Sequence, residues 1–167
     1  GNPDIYLMDL KSKKQRRLTT HPAIDTEARW APDARHIVFT SDRGGGPQIY
    51  RLPIDGGQPE RLTFNMGNYN SRASLSPDGK KMAVVNGGDK GYRIAVVDLE
   101  RDSFNILTNA KLDESPSFAP NGAMIIYATM GRAGAELAAV SVDGRVRQRL
   151  ALQKGEVREP AWGPIRK

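Results

Sequence analysis

A single turn, written four times, constrains this chain more than anything else in it. Trp30-Ala31-Pro32-Asp33-Ala34 returns as Leu75-Ser76-Pro77-Asp78-Gly79, as Phe118-Ala119-Pro120-Asn121-Gly122 and, shortened, as Trp162-Gly163-Pro164. The prolines at 32, 77, 120 and 164 set a period of 43–45 residues, which is the length of a four-stranded propeller blade rather than of a helical repeat. Proline presets the backbone angle of the first central turn position and Asp or Asn tolerates the next, so each copy reads as a strand running into a tight hairpin. A second marker keeps the same phase: Leu18-Thr19, Leu62-Thr63, Leu107-Thr108 and Leu150-Ala151 follow Ile5, Ile49, Ile94 and Leu137 at one constant distance.

The expected class is therefore all-β, a β-propeller of four-stranded antiparallel blades of the WD40-like type. Its repeats fall near 1–26, 27–71, 72–114 and 115–157, with a terminal strand in 158–167. Strands are expected near 5–10 and 15–19, then at 27–31, 36–41, 48–53 and 59–63, and a last inner strand at 158–162. The apolar centres His36–Thr40, Met82–Val85 and Met124–Ala128 suit strands covered on both faces. No segment carries a helical period. The arc could close as a small ring with a composite blade, or belong to a larger propeller.

Composition agrees and narrows the functions. With 38% hydrophobic residues, 7% aromatic, 17 Gly and 11 Pro, the chain suits many short strands joined by turns. No apolar run approaches the roughly 18 residues of a membrane span. The absence of cysteine removes disulfides and thiolate metal sites. The net charge of +6 permits an anionic partner. Its densest run, Lys11–Arg17, sits on an outer hairpin without interleaved aromatics, so it reads as a solvated sheet edge rather than a nucleic-acid patch.

In a blade the first strand lines the channel, and the loops leading into it share one face of the disc. Those loops are His21–Glu27, Asn65–Ser71, Lys111–Ser115 and Lys154–Glu159. They bring Asp25, Thr26, Glu27, Tyr69, Asn70, Asp113, Glu114, Ser115 and Arg158 to one mouth, with Glu156 and Glu159 beside them. Lys80, Lys81, Arg145 and Arg147 fall on the opposite face or the rim. A cluster of polar loops with Tyr69 and Arg158 as anchor types points to protein binding, against the plainer reading that single carboxylates cap turns. The carboxylates could also hold calcium, but their spacing matches no dedicated loop, and no cofactor is expected. Trp30 and Trp162 recur at a position shared with Leu75 and Phe118, which is a core pattern. The glycines at 44–46 and 87–88 precede no helix, so they do not read as a phosphate cradle. No Gly-x-Ser-x-Gly elbow occurs and no histidine follows His36, so an enzyme is not expected. The alternative reading is the gating propeller of a prolyl-oligopeptidase-like hydrolase.

The runs Asp25–Asp33, Phe39–Asp42, Leu112–Ser117 with Ala119–Gly122, and Pro160–Pro164 together resemble the carboxyl-terminal propeller of the TolB family, in order and in register over nearly the whole chain. That resemblance implies a six-bladed propeller behind a small amino-terminal α/β domain, of which the opening blades and that domain are missing here. It implies a periplasmic component of the Tol-Pal envelope system, serving outer-membrane integrity and cell division. Its partners would be the peptidoglycan-associated lipoprotein Pal, other Tol and outer-membrane proteins, and the translocation domains of colicins. Thr26 and Glu27 carry over as contributors to the Pal-docking face.

Overall fold

The computed structural model describes residues 1–131, 134–150 and 157–163. A two-stranded hairpin of β1 (Tyr6–Met8) and β2 (Gln15–Arg17) comes first. The first full blade is β3 (Asp25–Trp30), β4 (His36–Ser41), β5 (Gln48–Pro53) and β6 (Glu60–Arg61). The second is β7 (Tyr69–Leu75), β8 (Lys81–Gly88), β9 (Gly91–Asp98) and β10 (Ser103–Ile106). The third is β11 (Asp113–Phe118), β12 (Met124–Gly131), β13 (Gly134–Ser141) and β14 (Arg147–Leu150). Every neighbouring pair is antiparallel, and no helix occurs among the described residues.

Both sequence markers have physical causes. At the Pro-Asp turns the fourth residue donates its N–H back to the first, Ala34 to Ala31 O at 3.0 Å, Gly79 to Ser76 O at 2.8 Å and Gly122 to Ala119 O at 2.8 Å. The Asp or Asn side chain accepts the N–H two residues on, Arg35 to Asp33 Oδ1 at 2.8 Å, Lys80 to Asp78 Oδ1 at 3.0 Å and Ala123 to Asn121 Oδ1 at 3.0 Å. The threonine of the Leu-Thr marker takes the N–H of the paired strand, Ile5 to Thr19 Oγ1 at 3.0 Å, Ile49 to Thr63 at 3.1 Å and Ile94 to Thr108 at 2.9 Å. All three threonines are buried, so each satisfies a donor that water cannot reach.

Strand alternation divides the core among the blade junctions. In β4, Ile37 and Phe39 face the first hairpin while Val38 faces the second blade; in β8, Met82 and Val84 face the first blade while Ala83 and Val85 face the third. Two-sided burial is why these centres lack polar residues, and each large side chain so buried contributes about 1.5–3 kcal/mol.

Three expectations are corrected. The inner strands begin two or three residues earlier than expected, because Asp25-Thr26, Tyr69–Ser71 and Asp113-Glu114 already pair with their neighbours before a β-bulge. Residues 157–163 form no strand; Trp162 donates its N–H to Ser117 Oγ at 3.3 Å, while 164–167 lie outside the described residues. Trp30 and Trp162 are 54% and 42% exposed, whereas Phe118, at the same repeat position, is 7% exposed. For Trp30 the covering partner explains the difference. Phe118 packs on the complete second blade, whereas the sheet preceding Trp30 has only two strands here.

Candidate protein-docking site at the channel mouth

A non-glycine residue holds the left-handed backbone region at one repeat position, within the three bulges at Glu27 (φ 57°), Arg72 (φ 53°) and Ser115 (φ 55°) and again, outside any strand, at Glu159 (φ 51°). Such backbone costs of the order of 1–3 kcal/mol at each residue and persists only where the surroundings over-determine it. Here they do. Glu27 Oε2 accepts from the Thr40 hydroxyl at 2.7 Å and from the Arg72 N–H at 3.1 Å, so it ties the first blade to the second. The Arg72 guanidinium meets Glu27 Oε1 at 3.1 Å, Ser115 Oγ at 2.9 Å and Glu159 Oε1 at 3.2 Å. Partial burial works against its charge, but the carboxylates of Glu159, Glu27 and Glu114 outweigh that and hold it more firmly protonated than usual. These four residues line a cavity of about 300 Å³ that opens at the mouth.

The expected site residues divide by depth. Thr26, Tyr69 and Glu114 are half-buried at the mouth, and Glu27 and Arg158 are exposed there. Ser115 is buried, but its hydroxyl still reaches Arg72. Asp25, Asn70 and Asp113 share one repeat position and all lie beneath the surface, because strand alternation turns them inward one residue after Ile24, Tyr69 and Leu112. Asp25 accepts two bonds from Arg43 at 2.9 and 2.8 Å. Asn70 donates to Gln48 Oε1 at 3.0 Å and accepts from Asn86 at 2.9 Å. Neither side-chain oxygen of Asp113 has a hydrogen-bond partner among the described residues. Lys154 and Glu156 lie outside the described residues.

The sequence reading missed two features. Arg72, the hub of the ring, stands one period after Glu27, a signal hidden by ending the loop at Ser71. Apolar side chains also crown this end: Ile24, Phe64, Tyr92, Leu112 and Met130 are exposed, and Tyr92 stacks edge-on against Tyr69 with ring centres 5.1 Å apart. A smaller cavity of about 120 Å³ joins Leu112 and Met130 to Glu114 and Arg158. Among the described residues no group of three or more His, Cys, Asp or Glu gathers as metal ligands would.

Stacked four-stranded antiparallel sheets, with first strands converging on a polar mouth, define a β-propeller. The chain matches the family model described as TolB beta propeller domain over residues 1–166. It is 56% identical over 118 residues to the Tol-Pal system protein TolB of Xanthomonas campestris pv. campestris (strain B100), a match covering 70% of this chain and 27% of that protein. To the Tol-Pal system protein TolB of Bordetella pertussis (strain Tohama I) it is 48% identical over 162 residues, covering 96% of this chain and 37% of that protein. Among solved structures, TolB from Acinetobacter baumannii matches with a TM-score of 0.92 at 50% identity, over 99% of this chain and 41% of that one. The chain belongs to the TolB β-propeller family, and it spans between 27% and 41% of the length of these three relatives.

Proposed function

We propose that this chain is a noncatalytic docking scaffold of the Tol-Pal envelope system, receiving Pal in the periplasm on the face around the Arg72 ring. The observation that carries the reading is the left-handed backbone repeated at Glu27, Arg72, Ser115 and Glu159, a strained position kept one period apart at one opening. Strain of that kind clusters where a surface is preorganised for a ligand. The chemistry around it suits a protein partner: a fixed guanidinium and carboxylates at the centre, with Tyr69, Tyr92, Leu112 and Met130 supplying apolar contact beside them. Membership of a family whose relatives bear the Tol-Pal name supports Pal as the partner, and the same face would serve the translocation segments of colicins.

Titration calorimetry with soluble Pal tests this on the chain itself and on Thr26→Trp and Glu27→Lys. Saturable binding, weakened at least about tenfold in variants that keep the parent's circular dichroism, is expected, since each removes about 1.4 kcal/mol or more of interface energy. Unchanged affinity in the folded variants, or no binding by the folded parent, would overturn the proposal.

A further inference from the structure

The crevice between the second and third blades has the walls of a cation site. Asp113 forms its floor with 0% of its surface exposed, and neither carboxylate oxygen has a hydrogen-bond partner among the described residues. The crevice holds about 270 Å³. Its other walls include Thr108, Asn109, Tyr127 and Thr129, which offer oxygen acceptors. Arg147 and Arg149 also line it, each with hydrogen-bond or ion-pair partners other than Asp113. Arg147 donates to Asn109 Oδ1 at 3.1 Å and Arg149 lies 3.5 Å from Glu136 Oε2.

The first blade shows what this arrangement takes. Asp25 stands at the position of Asp113, and Phe39 at that of Tyr127: in both blades the carboxylate residue pairs across the ladder with the residue two places after the aromatic one, Asp25 with Ser41 and Asp113 with Thr129. There the Arg43 guanidinium binds both carboxylate oxygens of Asp25, with its centre 5.3 Å from the Phe39 ring and 5.0 Å from that of Tyr50. Two residues beyond Ser41 is Arg43; two residues beyond Thr129 is Gly131. A Cβ at Gly131 would lie 2.0 Å from Glu136 Oε1, so the Glu136 side chain would have to swing aside to admit one. The third blade thus keeps the carboxylate and the aromatic ring, and lacks the arginine at the position that supplies it in the first.

We propose that this crevice receives the guanidinium of an arginine side chain presented by a partner polypeptide. A guanidinium fits better than a metal ion, since Asp113 is the one carboxylate among the lining residues and the walls supply acceptors for several N–H donors. The buried carboxylate makes the interaction strong, because an unpaired buried acceptor gains most from a charged donor. This inference does not rest on docking at the mouth.

The test is amide NMR of the ¹⁵N-labelled chain titrated with N-acetyl-arginine amide and, separately, with N-acetyl-citrulline amide, its uncharged isostere. Saturable shifts confined to the amides around Asp113, Thr108, Tyr127 and Thr129 are expected with the arginine probe, with citrulline at least tenfold weaker. Asp113→Asn should weaken arginine binding at least tenfold, and Asn70 shows that the repeat position accommodates asparagine. Equal binding of citrulline, unchanged binding by Asp113→Asn, or no saturable shift in the parent would overturn the proposal. Arg132 lies outside the described residues; binding that emerges only in Arg132→Ala would likewise overturn a partner's arginine in favour of one from this chain.

Discussion

Asp25 and Asp113 occupy the same place in two blades of one molecule and lead opposite lives. The first is closed by Arg43 between two aromatic rings, whereas the second faces a crevice with no hydrogen-bond partner among the described residues. Both precede a bulge, and both begin an inner strand. What differs is the hairpin opposite, which leaves Ser41 through a loop carrying Arg43 in the first blade and runs on as paired strand through Gly131 in the third. A repeat therefore conserves the frame of a site while its occupant varies, and a buried acid turns from a structural tie into a receptor when its partner is deleted.

The largest effect that tests this contrast comes from undoing the closed pair. Arg43→Met should strand a buried carboxylate and cost about 3–5 kcal/mol in urea unfolding. Asp113→Asn should instead raise stability by about 1 kcal/mol, because it removes a charge that is already unpaired. Equal losses in the two variants would break the comparison.

The threonines beside these sites sharpen it. Thr63 both accepts from Ile49 N–H and donates to Gln48 Oε1 at 2.6 Å, whereas Thr108, on the wall of the Asp113 crevice, accepts from Ile94 N–H. Thr63→Val should cost about 1 kcal/mol more than Thr108→Val, because it removes a second buried hydrogen bond, the one to Gln48 Oε1. Matching unfolding midpoints would deny that the two junctions differ in closure.

The smallest effect belongs to the acids at the far end of the blades, which are exposed and serve only their turns. The N–H of Arg35, then the His36 side chain, lowers the Asp33 carboxyl below 3.8; the Ser76 hydroxyl, then the Lys80 N–H, does the same for Asp78. A depressed folded value means that this stabilisation is present above pH 3.8 and is lost as pH falls through the folded value. Amide exchange at residues 34–36 and 79–81 should therefore rise as pH falls below 3.8, after correction for the intrinsic rate, and rise less in Asp33→Asn and Asp78→Asn.

Much of the fold was legible because the features that build it recur. The Pro-Asp turn reports hydrogen bonds made in all three blades, and the Leu-Thr marker one made at Thr19, Thr63 and Thr108, so period and phase followed from them. The site was legible only to the resolution of a loop. Glu27, Thr26 and Glu114 were found at the mouth, but a bulge has no residue code of its own, so Arg72 was assigned to a strand when it is the hub of the ring. The depth of Asp25, Asn70 and Asp113 was hidden for the same reason: shifting the start of a strand by two residues changes which side chains face inward. Trp30 shows the limit of pattern from the other side. Its apolar position is a core position only where a neighbouring blade covers it.

The central claim is that partners dock at the mouth ringed by Glu27, Arg72, Ser115 and Glu159. Cross-saturation NMR of the labelled chain with soluble Pal tests it most directly. The account predicts a footprint at Thr26, Glu27, Tyr69, Arg72, Glu114 and Arg158, with none at the hairpins around Asp33, Asp78 and Asn121. A footprint on those hairpins with the mouth untouched would contradict it.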